Sequence, residues 1–342
     1  MPLRVLAAML VITASACSGS GTAQQPVAAG RSEGGGPACP LTGTPVPRGT
    51  DSRRPAVAVK VENSPEARPQ SGLSAADLIY EEPVEGGLAW LIAVFQCSDP
   101  ALVGPVRNAH PSDTAILAGH GSAVFAHAGA AASGAVNAVN SLRQVDALRS
   151  GDAFQRLDGR SPPHNLYASM PKLRALAKDG SSPRPWATFG RPGAPSKPSV
   201  SPSAAATAGP PTGASAQFTL GPASVRWTWD PGAAAYARRQ GTALFTDPEG
   251  RPLTVSNVVF LWVKVTETDT RDAAGGRTPL LMLTGAGDAL VLDGGIEHSG
   301  RWIRRSLADP PSLVDRKGHP MTLVPGKSWI VFLPLDTPVF VR

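Results

Sequence analysis

Short apolar runs that alternate with polar residues recur between residues 39 and 190, separated by turns rich in glycine and proline. This period of two is typical of β-strands with one or both faces buried. Longer apolar patterns begin at Pro111 or Ser112 and at Ser169, residue types that favour the start of a helix. We therefore expect an N-terminal α/β domain with a mostly buried sheet. Its predicted strands cover Ala56–Glu62, Leu78–Glu82, Leu88–Phe95 and Ala123–His127, and its predicted helices Pro111–Ala118, Ala135–Leu142 and Ser169–Lys178.

Residues 218–342 lack a helical period and instead contain short runs of β-branched and aromatic residues. Turn residues separate these runs, which predicts an all-β domain, either a sandwich or a partly open barrel. Tryptophans lie within the predicted strands, where they either pack in the core or form a surface platform for a glycan. They are Trp227, Trp229, Trp262, Trp302 and Trp329.

Two stretches have compositions that do not support a packed core. Residues 191–217 consist mainly of Pro, Gly, Ala and Ser and contain no aromatic residue, which predicts a linker. Residues 18–38 are poor in large apolar side chains and are expected to form a disordered tether. The expected organisation is therefore an α/β domain at 39–190 and a β-rich domain at 218–342, joined by the linker.

Residues 1–17 carry the features of a bacterial export signal. Arg4 supplies a positive charge, Val5–Ile12 is apolar, and Ala14–Ala16 offers small residues for cleavage. Cys17 follows directly, which resembles the lipobox of bacterial lipoproteins, where the cysteine thiol receives a diacylglycerol. Leucine is commoner than alanine at the first of the three small residues, so ordinary secretion with an incidental cysteine is the alternative. We expect a signal peptide ending at Cys17 and a membrane-lipid anchor on that residue.

Two further cysteines remain in the exported chain, Cys39 and Cys97. Paired cysteines are the common state outside the reducing cytoplasm, so a disulfide between them is expected and two isolated thiols are the alternative. Two cysteines do not make a metal site of the usual composition, and no metal or cofactor is predicted.

The formal net charge of +6 does not come from a basic patch. Lysine and arginine are spread along the chain, whereas nucleic-acid binding requires them to cluster against phosphates. The charge balance therefore argues against a nucleic-acid partner. The sequence also contains no apolar run long enough for a membrane-spanning helix.

Several motifs resemble those of one bacterial family. They are, in order, Arg54–Val59, Ala67–Asp77, Tyr80-Glu81, Val84–Gly87, Gly104–Arg107, His127–Gly129, Pro163–Tyr167 and Pro325–Ile330. Together they resemble the YerB-like lipoproteins, whose body is a two-part domain of unknown function with N-terminal and C-terminal halves. The resemblance implies a lipid-anchored envelope protein and supplies no activity. Family members more often have arginine where this chain has Trp90 and His110, so a charge-based site has two arginines fewer here.

His127 is the first candidate for chemistry. It ends a predicted strand and precedes a small-residue turn and a predicted helix, and ligands of open α/β sheets bind at the carboxyl ends of strands. An imidazole there could donate to an anion or move a proton near neutral pH. The alternative is tight packing of helix on sheet with a structural histidine.

A second candidate set consists of basic and polar residues in proline-containing loops. Arg160 offers a planar fork for a carboxylate or phosphate, and His164 and Asn165 follow a pair of prolines in the same loop. Arg68 and Arg107 lie in similar turns, and we expect both arginines to share one cleft with His127 and His164. The alternatives are a loop held by hydrogen bonds from the Asn165 side chain to backbone groups, and a buried ion network in which the arginines are neutralised by Glu62, Glu81 and Glu85.

These observations favour a lipid-anchored binding or scaffold protein on the extracellular face of the membrane of a Gram-positive, high-GC bacterium. Its expected ligand is an anionic component of the envelope, with an envelope protein as the other possible partner. A cell-wall hydrolase or transferase that uses His127 or His164 as a base and Glu81 or Glu85 as an acid is the rival hypothesis. No nucleophile elbow, Walker loop or zinc-protease motif supports that rival.

Overall fold

A computed structural model describes residues 37–121, 123–130, 142–190, 213–271 and 275–342. The strands of the first half are β1 (Val57–Val61), β2 (Leu78–Pro83), β3 (Ala89–Phe95), β4 (Leu102–Val103), β5 (Val124–His127), β6 (Arg143–Asp146), β7 (Phe154–Arg156), β8 (Leu166–Ser169) and β9 (Thr188–Phe189). The α-helices are α1 (Asp113–Leu117) and α2 (Met170–Ala177). No helix in the described part of the chain is both long and apolar enough to cross a membrane.

The second half is built of strands. They are β10 (Ser215–Thr219), β11 (Ser224–Asp230), β12 (Ala235–Gln240), β13 (Ala243–Leu244), β14 (Thr254–Val255), β15 (Asn257–Val263), β16 (Val265–Arg271), β17 (Arg277–Leu281), β18 (Gly285–Asp293), β19 (Ile296–Arg304), β20 (Ser312–Asp315), β21 (Thr322–Leu323), β22 (Ser328–Pro334) and β23 (Phe340–Val341).

One ten-stranded mixed sheet contains strands from both halves of the chain. Its order is β20-β19-β18-β15-β22-β2-β3-β1-β5-β6. The junction is the parallel pair of β2 and β22, in which Tyr80 lies opposite Ile330. The two domains predicted from the sequence are therefore joined by backbone hydrogen bonds within a single sheet.

A six-stranded sheet, formed by β10–β14 and β23, covers one face of this large sheet. Phe218 packs edge-on against Phe260, and Trp227 against Trp329, with ring centroids 5.2 Å apart in both pairs. Two packed sheets agree with the sandwich expected for the second half. Trp227, Trp302 and Trp329 are buried, and Trp229 and Trp262 pack partly buried against the core, so the tryptophans have the expected core role.

The first half is less helical than its predicted α/β class. The strands β1, β2 and β3 are almost fully buried, as expected, but α1 and α2 have only five and eight residues. The physical reason is that the second half covers the sheet: Val59 and Ile79 share a hydrophobic cluster with Phe218 and Trp227 of the six-stranded sheet. A face that is already covered by a sheet needs no helix layer.

Some predictions fall at or beyond the limits of the described residues. Residues 1–36, with the signal peptide and Cys17, lie outside them, as do residues 131–141, which contain nearly all of the predicted helix Ala135–Leu142. At the other end of the linker, β10 begins at Ser215, inside the predicted 191–217 stretch. Ala216 is fully buried opposite Trp227, which explains why so small a residue belongs to a strand.

The Cys39–Cys97 disulfide is present, with an S–S distance of 2.04 Å and a Cα–Cα distance of 6.1 Å. Cys97 lies just beyond the end of β3, so the bond fixes the N-terminal arm to the central sheet. The predicted pairing is confirmed.

Candidate functional site

Three central strands, β1, β2 and β5, have their carboxyl ends on the same side of the ten-stranded sheet, at the ends of the strands rather than at an edge strand. β1 and β2 both run antiparallel to β3, and β5 runs parallel to β1. Charged side chains follow or end these strands, among them Glu62, Glu82 and His127. Open sheets bind ligands at the carboxyl ends of their strands, so we take this region as the candidate site.

Glu62 is the centre of a polar cluster directly after β1. Its carboxylate accepts hydrogen bonds from Arg107 (2.8 Å) and Ser64 (2.8 Å), and both of its oxygens lie 3.0 Å from Nδ1 of His164. Burial opposes the charge, but the hydrogen bonds from Arg107, His164 and Ser64 outweigh it and hold the pKa of Glu62 below its ordinary value. The side chains of Arg107 and His164 are 21% and 22% exposed, so they remain accessible from solvent.

Arg68 lies next to this cluster. Its guanidinium donates to the side-chain and backbone oxygens of Asn63 at 3.2 and 2.6 Å, and among the described residues it hydrogen-bonds no carboxylate. Burial and the nearby guanidinium of Arg238 lower the pKa of Arg68 to about 10. Arg160 supports the same loop, because it donates to the backbone oxygens of Ala67 and Arg68 at 3.0 Å.

Arg238 and Glu81 form an ion pair of 2.7 Å on the face that meets the six-stranded sheet, and both side chains have no exposed area. The second oxygen of Glu81 accepts from the indole of Trp329 at 2.8 Å. Glu81, one of the predicted acids, is therefore a buried structural carboxylate in this structure.

On the opposite face, a second charged cluster surrounds Lys60 of β1. Its ammonium donates to Glu82 of β2 and to Asp113 of α1, the latter at 2.7 Å. Burial disfavours the ammonium, but Asp113 and Glu82 outweigh it and raise the pKa of Lys60. Burial and the adjacent Asp113 raise the pKa of Glu82 well above its ordinary value, although the ammonium of Lys60 acts in the opposite direction.

His110 and Glu85 continue this cluster toward the surface. Nε2 of His110 lies 2.7 Å from Glu85, and the hydroxyl of Thr278 donates to the other Glu85 oxygen. The half-buried ring of Trp90 packs edge-on against His110, with centroids 5.0 Å apart. The guanidinium carbon of Arg107 lies 6.0 Å from the centroid of the same indole ring. The Lys60 cluster and the Glu62 cluster therefore meet at Trp90.

Comparison with known proteins supplies the family. Residues 41–182 match the N-terminal domain of the protein family of unknown function DUF3048, and residues 215–330 match its C-terminal domain. The chain belongs to this YerB-like family. Over 146 residues it is 40% identical to the Bacillus subtilis protein named "Putative lipoprotein YerB", a match that covers 41% of this chain and 42% of that protein. A crystal structure of YerB from Bacillus subtilis superposes with a TM-score of 0.73 at 27% identity, covering 89% of this chain and 99% of the other.

Two of the four side chains expected to share a cleft contact a common group. Arg107 and His164 contact the same Glu62 carboxylate, whereas Arg68 donates to the next residue, Asn63. His127 is bound elsewhere: its ring nitrogens lie 2.8 Å from the Gly129 carbonyl and 2.9 Å from Gln144. The physical reason is that β6 lies directly beside β5 and supplies Gln144 as a partner.

Other predicted residues have mainly intramolecular partners. Asn165 accepts a hydrogen bond of 2.6 Å from the side chain of Arg156, whereas the alternative to ligand binding was an anchor to backbone groups. Glu62 neutralises Arg107, which matches part of the expected ion network, whereas Glu81 pairs with Arg238, an arginine outside that expectation. Glu85 contacts His110 and Thr278 rather than an arginine.

Sequence reasoning missed the Lys60 cluster. A lysine inside the alternating run Val57–Val61 is a signal that was available, because a buried strand accommodates a charge only when partners neutralise it. The partners themselves, Glu82 and Asp113, lie 22 and 53 residues further along the chain, and only the fold identifies them.

Proposed function

We propose that this protein is a lipid-anchored protein of the bacterial envelope that binds an anionic envelope ligand at the arginine surface, defined as Arg68, Arg107, Arg160 and His164. The family has no established activity, so the proposal rests on the chemistry of this surface. Its ligand class is a molecule that carries carboxylate or phosphate groups, the partners that guanidinium groups recognise best.

Arg68 is the observation that carries the proposal. Burial and Arg238 disfavour its charge more than Glu81 and Glu66 favour it, and within the described residues its guanidinium hydrogen-bonds only neutral oxygens. An anion bound at Arg68 would offset the cost of burying this charge. A fully exposed arginine does not have that cost.

Arg107 and His164 extend the surface on the side of Glu62. Both side chains are partly exposed, and both are held in place by the same carboxylate. Arg160 fixes the backbone beneath Arg68 through two carbonyl oxygens. A ligand would therefore meet donors that are already oriented, which lowers the entropic cost of binding.

The anchor is the second part of the proposal. The sequence ends its export signal at Cys17, and the similar Bacillus subtilis protein carries lipoprotein in its name. Replacing Cys17 by alanine in a Gram-positive host should move the protein from the membrane fraction to the medium. Unchanged membrane association of that variant would contradict lipidation at Cys17.

Binding is tested with two anionic probes of different source. Poly(glycerol phosphate) carries phosphates, and a muramyl peptide carries carboxylates. One of them should bind the full mature chain, and Arg68→Gln should weaken that binding by about 1.5–3 kcal/mol, the range for a charged hydrogen bond. Isothermal titration calorimetry measures the affinity.

The matched control is Arg226→Gln, because Arg226 is an exposed arginine that hydrogen-bonds Gln217 on the six-stranded sheet. It should leave the affinity unchanged. Equal affinity of Arg68→Gln and the unmodified chain, or no binding of either probe, would overturn the proposed arginine surface.

The hydrolase hypothesis is less well supported by the contacts. His164 pairs with Glu62 rather than with Glu81 or Glu85, and Glu81 is fully buried against Arg238. None of the four predicted histidine–acid pairs is joined by a hydrogen bond in the described part of the chain.

A further inference from the structure

Three potential metal ligands converge where β2, α1 and the loop before α1 meet. One oxygen of Glu82, one oxygen of Asp113 and one ring nitrogen of His110 all lie within 4.8 Å of one another. All three residues are at most 2% exposed. Two carboxylates and one imidazole are a donor set that suits zinc and related divalent ions.

His110 supplies an independent indication. Its Nε2 lies 2.7 Å from the Glu85 carboxylate, while its Nδ1 is buried and has no hydrogen-bond partner among the described residues. A histidine that ligates a metal characteristically donates its other ring N–H to a carboxylate, which fixes the ring and its tautomer. When Nε2 carries the proton toward Glu85, the lone pair of Nδ1 is left available for an ion.

We propose that Glu82, His110 and Asp113 bind one Zn²⁺ ion per chain, with Glu85 as the carboxylate that orients His110. Zinc ligands lie about 2.0–2.2 Å from the ion, so donor atoms within 4.8 Å of one another need only small side-chain movements to surround it. Three protein ligands leave a position for water. This proposal is independent of the arginine surface.

Lys60 is the competitor for this site. Its ammonium already contacts both carboxylates, which shows that the position between them accommodates a cation. Zinc can take this position only when the ammonium leaves it, because two cations cannot share the space between the carboxylates. Zinc affinity should therefore be limited by Lys60 and should rise when Lys60 is removed.

Access to the site is restricted by neighbouring elements. The hairpin of β16 and β17 lies against it, because Thr278 donates to Glu85 and the amide of Leu281 donates to Ser112 at 2.9 Å. Zinc is therefore expected to enter most readily as the chain folds. The experiment should refold the mature chain with and without zinc rather than add the ion only to folded protein.

The first test is the zinc content of refolded, desalted protein, measured by elemental analysis. We expect one zinc per chain, and at least tenfold less in His110→Gln and in Asp113→Asn. The control is His319→Gln, which removes a histidine of an exposed His–Asp pair and should retain the full zinc content. Equal zinc in the His110→Gln and unmodified chains would overturn the site.

Two further measurements keep the test decisive where a variant fails to fold. X-ray absorption of the zinc-loaded unmodified chain should show one imidazole among nitrogen and oxygen ligands, and a spectrum without imidazole would overturn the proposal. Lys60→Met should bind zinc at least tenfold more tightly, and zinc should raise its melting temperature more than that of the unmodified chain. Equal affinities would contradict a site between Glu82 and Asp113.

Discussion

At the residue scale, Arg238 shows how this protein buries charge. Its guanidinium lies over Phe245 and Trp329, at 4.6 and 5.0 Å from the ring centroids, and pairs with Glu81 at 2.7 Å. A buried pair of this kind contributes little relative to apolar residues, but the loss of one partner leaves an uncompensated charge.

We therefore expect Arg238→Met to lower the free energy of unfolding by about 3–5 kcal/mol, because Glu81 is left buried and unpaired. Guanidinium denaturation measures the change. Adding Glu81→Gln should recover part of the loss, since the amide carries no charge. The control Arg226→Met, at an exposed position of the adjacent strand, should change stability by less than about 0.5 kcal/mol. Similar losses for both methionine variants would contradict the role of the ion pair.

His120 gives the fold a dependence on acid pH. It is buried, and its Nε2 lies 2.7 Å from the Tyr80 hydroxyl oxygen, within hydrogen-bond distance. Burial, with a smaller contribution from Arg304, lowers the pKa of His120 from 6.5 to about 4. The unfolded chain therefore binds a proton at this residue at a higher pH than the folded chain does.

Stability should consequently fall as the pH drops from about 6.5 to 4, by an amount of about 3 kcal/mol from this residue. His120→Gln retains an acceptor for Tyr80 and does not titrate, so its stability should change less over the same range. Unfolding free energies of both chains at a series of pH values provide the measurement. If the unfolding free energies of the two chains change in parallel with pH, His120 is excluded as the source of the pH dependence.

At the element scale, the two halves contact each other at a pair of turns. Gly221, between β10 and β11, has a φ of +86°, and a Cβ atom added there would lie 2.1 Å from the carbonyl oxygen of Gly87. Gly87 belongs to the turn between β2 and β3. The six-stranded sheet thus reaches its position on the central hairpin only because residue 221 has no side chain.

Gly221→Ala should destabilise the protein by more than the approximately 1–2 kcal/mol that a left-handed backbone conformation costs a residue with a side chain. The matched control is Gly250→Ala, at a φ of +80° with open space around the added Cβ. The difference between the two variants in urea denaturation isolates the close contact. Equal losses of unfolding free energy in Gly221→Ala and Gly250→Ala would show that the two turns can move apart without a loss of stability.

At the scale of the whole molecule, both halves share the ten-stranded sheet, so we expect them to fold as one unit. β22 lies between β2 and β15 and is parallel to both, so the first half alone would expose an edge of β2. The first half would also lose the apolar cover that Phe218 and Trp227 provide. An unpaired, apolar strand edge is prone to aggregation.

A protease site inserted within residues 191–212 tests this organisation. After cleavage, the two fragments should elute together in size-exclusion chromatography and unfold in one transition, because the shared sheet holds them together. Expressed alone, the fragment that ends at residue 190 should aggregate or remain unfolded. Two fragments that separate in folded form would contradict a single folding unit.

Much of the secondary structure could be predicted from the sequence. The alternating run at residues 56–62 became β1, and the apolar runs at 78–82 and 88–95 became β2 and β3, each within about two residues. Local patterns suffice here because a strand shows its buried positions in its own sequence. The disulfide was also predictable, since exported chains with two cysteines usually pair them.

The arginine surface was predictable only in part. Arg68, Arg107 and His164 stood out as basic residues in proline-containing loops, and in the structure Arg107 and His164 contact Glu62 while Arg68 contacts Asn63. His127 stood out equally, yet its partners Gly129 and Gln144 come from its own strand end and from the neighbouring strand. The type of a residue and its position in a loop do not determine which neighbouring group its side chain contacts.

The sequence by itself determined the family, the disulfide and the positions of the central strands, because each depends on residues that are close together or on composition. Only the tertiary structure decided that both halves share one sheet, that Arg238 neutralises Glu81 157 residues away, and that Glu82, His110 and Asp113 meet beside Lys60. Charges must be neutralised where they are buried, but the sequence does not state which distant residue is brought close. Strand pairing and sheet packing determine these contacts, because they bring together residues that are far apart in the chain.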